Sequence, residues 1–163
     1  MLLRIFPLLC VLLTACSRHD HHHDHAHGDI HTAPHGGTLV EIGEHQFNVE
    51  LIFDAQAGKL TVWLLDAHAE HFVRSAAPQL EIVTRVAGEA RTLALLPVAN
   101  SATGETVGDT SQFEATADWL RGLPAVAGEF RQLNFRGAVF SNVVFSVAAG
   151  VPEAVGAGHS HSH

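Results

Sequence analysis

The stretch "HQFNVELIFD", residues 45–54, decides the fold class of this 163-residue chain. Every second residue in it is apolar, and these share one face of an extended chain: Phe47, Val49, Leu51 and Phe53. The polar residues on the other face are Gln46, Asn48 and Glu50. A period of two residues is typical of a strand that packs one face against a core. We therefore predict a β-strand here.

Similar runs follow at short spacing. The loop "AQAG" (55–58) separates the first strand from "KLTVWLLDA" (59–67), which predicts a β-hairpin. Further strand candidates are residues 79–86, 90–98, 111–117, 129–137 and 138–147, and "ADWLRGL" (117–123) is expected to make one helical turn between strands. Seven to eight short strands over residues 38–149 predict an all-β fold, an antiparallel immunoglobulin-like β-sandwich, with a small barrel as the alternative.

The N-terminus carries an export signal. Arg4 precedes an apolar run that is too short to span a bilayer, and the run ends in "LTAC" (13–16), which resembles a bacterial lipobox. The resemblance implies a signal peptide over 1–15, lipidation of Cys16, and attachment to the periplasmic face of a bacterial membrane. Ser17 after the cysteine favours the outer membrane. The alternative is an ordinary signal peptide, which would leave an unpaired thiol in an oxidising compartment.

Histidines dominate both ends of the mature chain. Residues 16–37 have almost no core-forming residues and are predicted to be a disordered tether that binds metal through His19, His21, His22, His23, His25, His27 and His31. Residues 150–163 read as a flexible tail with weaker candidate ligands at His159, His161 and His163. Neutral imidazole suits divalent transition metals, with Zn²⁺ or Cu²⁺ favoured over Ni²⁺ or Co²⁺. A solvated spacer and an artificial tag are the alternative interpretations of the tract.

A second constellation lies in the predicted domain. If the hairpin's second strand runs on past Asp66, then Asp66 and His68 project from the same face. We expect His35, Asp66 and His68 to form a structured metal site, with His45 or His71 as a further ligand, and Glu50 to point away from it. The alternative is that Gly36-Gly37 is only a turn, Asp66 a strand-end residue, and His68 and His71 exposed loop residues.

The motifs "PHGG" (34–37), "VELIFD" (49–54) and "GKLTVWLLDAHAE" (58–70) together resemble small periplasmic metal-associated domains. These include the histidine-rich N-terminal regions of heavy-metal efflux adaptor subunits and related bacterial lipoproteins. The resemblance covers roughly residues 19–71, and His35, Asp66 and His68 are the matching positions. It implies a role in metal homeostasis and a metal efflux or transport complex as partner.

Other function classes find little support in the sequence. Nine Lys and Arg against 17 Asp and Glu give a net charge of −8, which is unlike a nucleic-acid-binding domain. "HAEH" (68–71) has the wrong residue order for a zinc protease, and the common nucleophile and nucleotide motifs are missing, so we expect no enzyme. The sequence therefore predicts a metal-capturing envelope lipoprotein. The alternative is a structural or protein-interaction lipoprotein whose histidine tract is only a soluble tether.

Overall fold

A computed structural model describes residues 31–150, so the predicted signal peptide, Cys16, the tract from His19 to His27 and the histidines of the tail lie outside the described residues. The described part folds into strands β1 (Thr38–Ile42), β2 (Phe47–Asp54), β3 (Lys59–Asp66), β4 (Leu80–Val86), β5 (Glu89–Pro97), β6 (Gln112–Thr116), β7 (Ala125–Phe135) and β8 (Ala138–Ala148). Each ladder between them is antiparallel. The predicted all-β class is confirmed.

The strands follow the order β1-β2-β3-β6-β5-β4-β7-β8 in one continuous sheet. Its two halves are joined where Leu96 and Pro97 of β5 pair with β6. The outer edges also approach each other, since the Gly150 N–H donates to the Phe53 carbonyl at 3.0 Å. The result is a sandwich-like sheet that nearly closes on itself. Five consecutive pairs of strands are neighbours in the sheet, whereas β3 pairs with β6 and β4 pairs with β7, so the strand order is not a simple meander.

The core lies between the two halves of the sheet. Phe47 of β2 stacks on Phe135 of β7 with ring centroids 4.5 Å apart, and Phe130 packs against Phe145 at 5.0 Å. The alternating residues that predicted β2 lie in this core, and Val49, Leu51 and Phe53 are fully buried. The hydrophobic pattern of residues 45–54 thus fixes which face of β2 packs inward.

Three features differ from or refine the expected elements. β1 is an eighth strand that pairs with β2 and was not singled out by its own pattern. β7 begins at Ala125, four residues earlier than predicted, because Val126 packs into the core and pairs with Val147 of β8. The predicted helical turn between β6 and β7 is present as a short 3₁₀ turn at Asp118–Leu120, and it buries Leu120.

Gly128 permits the close pairing of β4 and β7. A β-carbon at this position would collide with the backbone carbonyl of Val83, which cannot move without disturbing the ladder. We expect Gly128→Ala to lower the free energy of unfolding by about 1–3 kcal/mol, as overpacking does elsewhere. Urea denaturation measures the change. The control is Ala127→Gly, one residue away, which should lower the free energy of unfolding by about 1 kcal/mol or less. Gly88→Ala would not be a clean control because Gly88 has a positive φ.

Candidate functional site

The segment before β1 is held against the face of β2 that points away from the core. Pro34 and His35 occupy the centre of a β-turn in which the Gly36 N–H donates to the Ala33 carbonyl at 3.0 Å. Proline favours this turn position, and Gly36 has a φ of +73°, which suits glycine. At Gly37 a β-carbon would lie 2.6 Å from the Leu51 carbonyl oxygen. Local backbone geometry therefore requires the two glycines of the "HGG" motif.

Glu50 is the group that this segment covers. Its side chain is fully buried, and Oε1 accepts hydrogen bonds from the backbone N–H groups of His35 and Gly37 at 2.8 and 2.9 Å. Its Oε2 lies 2.8 Å from Nδ1 of the His35 ring. The buried carboxylate thus has three partners, as burial of a charged group requires. We call Glu50, His35 and Gly37 the carboxylate clamp.

The clamp corrects two expectations. Glu50 was expected to point away from the candidate ligands, but it is the residue that binds His35. Residues 31–37 were assigned to a disordered tether, but Gly37 and the backbone of His35 pack onto β2, so the folded domain begins before Thr38. The sequence did hold one signal for Glu50: the hairpin register puts it directly opposite Trp63, a large side chain that could shield it from water.

The His35 ring rests on aromatic residues. It stacks on Trp63 with centroids 4.0 Å apart and planes 19° from parallel, and it lies 5.5 Å from the Phe72 ring. Phe72 reaches this position because it forms an isolated bridge with Leu65 of β3. The side chain of His35 remains 37% exposed. One edge of the imidazole is therefore used by the clamp while part of the ring reaches solvent.

Asp66 organises the turn that follows β3. Its Oδ1 accepts hydrogen bonds from the N–H groups of Glu70 and His71 at 3.0 and 3.2 Å, and its Oδ2 lies 3.1 Å from the His71 Nδ1. Burial by itself would raise the pKa of this carboxyl group, but the hydrogen bonds of His71 and Glu70 together hold it below its ordinary value of 3.8. The strand ends at Asp66, so the expected continuation through His68 is wrong.

The remaining histidines lie around the same end of the domain. His45 belongs to the β1–β2 turn, is mostly exposed, and pairs with Glu41 at 2.8 Å. The ring of His31 lies edge-on to that of His68, with centroids 5.7 Å apart. Asp66 is the cross-strand partner of Phe47, so the β1–β2 turn and the turn after β3 occupy neighbouring positions.

The expected convergence of His35, Asp66 and His68 is not found. Within residues 31–150 there is no group of three or more His, Cys, Asp or Glu residues placed to hold one metal ion. Instead His35 pairs with Glu50, Asp66 pairs with His71, and His68 meets His31. The structure agrees with the alternative interpretation at three points: Gly36 closes a turn, Asp66 ends a strand, and His68 and His71 are exposed loop residues.

Comparisons with family models, with curated proteins and with solved structures find no match for this chain. Over residues 31–150 the structure also has no helix of the length and apolarity needed to cross a membrane.

Loss of the buried carboxylate is expected to loosen the start of the domain. Glu50→Ala should lower the free energy of unfolding by about 2–4 kcal/mol, because two backbone N–H groups lose their acceptor at about 1–3 kcal/mol each. Glu41→Ala removes the glutamate that pairs with exposed His45 and should change stability by less than about 0.5 kcal/mol. Urea denaturation compares the two. Equal effects would contradict the assigned role of Glu50.

The lowered pKa of Asp66 gives its pairing a defined pH dependence. A carboxyl group whose pKa is lower in the folded state stabilises the fold above its unfolded pKa, and this contribution disappears as pH falls through the folded pKa. Asp66→Asn should therefore destabilise the protein at about pH 6 and have a smaller effect well below pH 3.8. Chemical denaturation at the two pH values tests this, with exposed Asp118→Asn as control. A pH-independent loss would contradict the prediction.

Proposed function

We propose that this protein is a membrane-anchored periplasmic lipoprotein that captures or buffers a divalent transition metal. Zn²⁺ and Cu²⁺ are the favoured ions, with Ni²⁺ and Co²⁺ as further candidates. Lipidated Cys16 would hold the chain at a membrane, with the outer membrane favoured, and the histidine tract would extend between this anchor and the folded domain. The metal would pass to or from an efflux or homeostasis system. The chain is proposed to have no catalytic activity.

The placement of the histidines carries this proposal. Seven lie in the 13-residue stretch 19–31, and Asp20, Asp24 and Asp29 between them offer oxygen ligands and offset the charge of a cation. The tract joins the folded domain at His31, whose ring contacts His68. The chain therefore leads from a dense set of imidazoles directly to the end of the domain that carries the other described histidines.

The tract is suited to capture and not to tight structural coordination. Each residue that becomes ordered on binding costs about 1–2 kcal/mol of backbone entropy, which weakens affinity and reduces discrimination among metals. Many equivalent imidazoles offset this cost by offering many ways to bind the same ion. A tract of this kind would raise the local metal concentration near the membrane and release the ion readily to a site of higher affinity.

A second function draws on one observation on β8, the last strand in the order of the sheet. Val139 and Val144 of β8 are 51% and 72% exposed, and β8 ends the strand order. Apolar side chains on a terminal strand would suit docking of another envelope protein. In that case the histidines would act as a soluble tether, and the chain would bind no more metal than a variant whose tract and tail histidines are all replaced.

Metal titration distinguishes these functions. The full-length chain in detergent is titrated by calorimetry with Zn²⁺, Cu²⁺, Ni²⁺ and Co²⁺, beside a variant in which the six histidines from His19 to His27 are replaced by Asn. We expect the substitution to remove most of the bound equivalents. Binding should also decline below about pH 6, because imidazole must lose its proton to coordinate.

The control is a variant in which the three tail histidines are replaced by Asn, which should keep most of the binding. If the unaltered chain binds no more metal than a variant with all tract and tail histidines replaced, the proposed function is wrong and the tether interpretation is favoured.

A further inference from the structure

We propose that His31 and His68 form an open two-imidazole metal site at the junction between the histidine tract and the folded domain. It would take Zn²⁺ or Cu²⁺ and leave the remaining coordination positions to exchangeable ligands such as water. The proposal rests on the proposed function, since it names where the domain meets the captured ion. The site differs from the expected one, because it does not use His35 or Asp66 as ligands.

The roles of the other described histidines single out this pair. His35, His45 and His71 each place Nδ1 within about 3 Å of a carboxylate oxygen: 2.8 Å to Glu50, 2.8 Å to Glu41 and 3.1 Å to Asp66. Within residues 31–150 the rings of His31 and His68 have no hydrogen-bond partner. Both of their ring nitrogens are therefore unengaged by the described part of the protein.

The relative position of the two rings suits a shared ion. Their centroids lie 5.7 Å apart and their planes are inclined by 72°. With Zn–N bonds of 2.0–2.1 Å, two imidazoles on one metal hold their centroids about 5–6 Å apart. Nitrogen lone pairs lie in the ring planes, so parallel stacked rings cannot direct them at one point. In the edge-on arrangement, a turn of the exposed His68 ring about its side-chain bonds would direct one lone pair of each ring at the ion.

Two hydrogen-bonded elements position the pair. His68 lies in the turn after β3, where Asp66 accepts from the backbone of Glu70 and His71. The same turn is tied to β2 because Asn48 Nδ2 donates to the carbonyls of Asp66 and Ala67 at 3.1 and 2.9 Å. His68 is thus an exposed ligand on a fixed backbone. Such preorganisation lowers the entropy cost of binding relative to the tract.

The carboxylate clamp positions the other ligand. His31 lies four residues before His35, whose backbone and ring are bound to Glu50. The half-buried ring of His31 is therefore attached to a chain that is already fixed near the domain surface.

A variant without competing histidines isolates the site. In the full-length chain, the six histidines from His19 to His27 and the three tail histidines are replaced by Asn, while His31 and His68 are kept. His31→Asn, His68→Asn and the matched control His45→Asn are then added separately. Zn²⁺ affinity is measured by calorimetry, and the nitrogens bound to Cu²⁺ are counted from their hyperfine splitting in electron paramagnetic resonance.

The background variant should bind one metal ion with two coordinating nitrogens. Loss of a residue that only supports a metal ligand weakens metal binding by about 10- to 100-fold. His31→Asn or His68→Asn removes a ligand itself, so each should weaken Zn²⁺ binding at least as much and leave one nitrogen on Cu²⁺. His45→Asn should change neither quantity. Thermal unfolding of the background variant and of its His31→Asn and His68→Asn derivatives should coincide, because neither ring contributes a hydrogen bond within residues 31–150.

Failure of the site is distinguishable from failure of the proposed function. If the unaltered chain binds metal but the background variant does not, capture by the tract stands and the junction site is overturned. The site is equally overturned if His45→Asn weakens binding as much as His68→Asn does. If the unaltered chain itself binds no more metal than the variant with all tract and tail histidines replaced, both proposals fall together.

Discussion

A buried carboxylate in the middle of β2 is the constraint on which this end of the protein depends. Glu50 has no access to water, so every hydrogen bond that it needs must come from the protein. The donors are two backbone N–H groups and one imidazole, and they belong to a segment that precedes the first strand. Satisfying one acidic side chain thus draws His35 and Gly37, which precede β1, into the fold and brings the end of the histidine tract to the domain.

The described histidines divide into two groups with different chemistry. Three are held by carboxylates and contribute to turns and to the clamp, so their orientation follows from the fold. The other two contact each other where the tract ends. A ring that donates Nδ1–H to a carboxylate can still present Nε2 to a metal, as metal-binding histidines commonly do. Under the proposed function, preorganisation would distinguish the domain from the tract: the tract would bind metal loosely, whereas a histidine on the domain would offer a better-defined position.

The regular part of the fold was accessible from sequence because it depends on local periodicity. The alternation in residues 45–54 identified the buried face of β2, and the short loop at 55–58 identified the hairpin with β3. β1 and the early start of β7 were missed. Residues 38–42 show no clear alternation and become a strand only through pairing with β2. Gly128 precedes the predicted strand 129–137, and only its close contact with β4 explains why a glycine within β7 is needed there.

The sequence by itself determined the all-β class, the hydrophobic face of β2 and the supply of imidazole side chains, because these follow from residue type and from a period of two. Tertiary structure alone decided which residues meet. Asp66 bonds to His71 because the strand ends there and the chain turns, and His35 bonds to Glu50 because the "HGG" segment folds back over β2. Such contacts depend on chain reversals whose direction no local pattern records, and so Glu50 was missed as the partner of His35, and the expected convergence of His35, Asp66 and His68 is not found in residues 31–150.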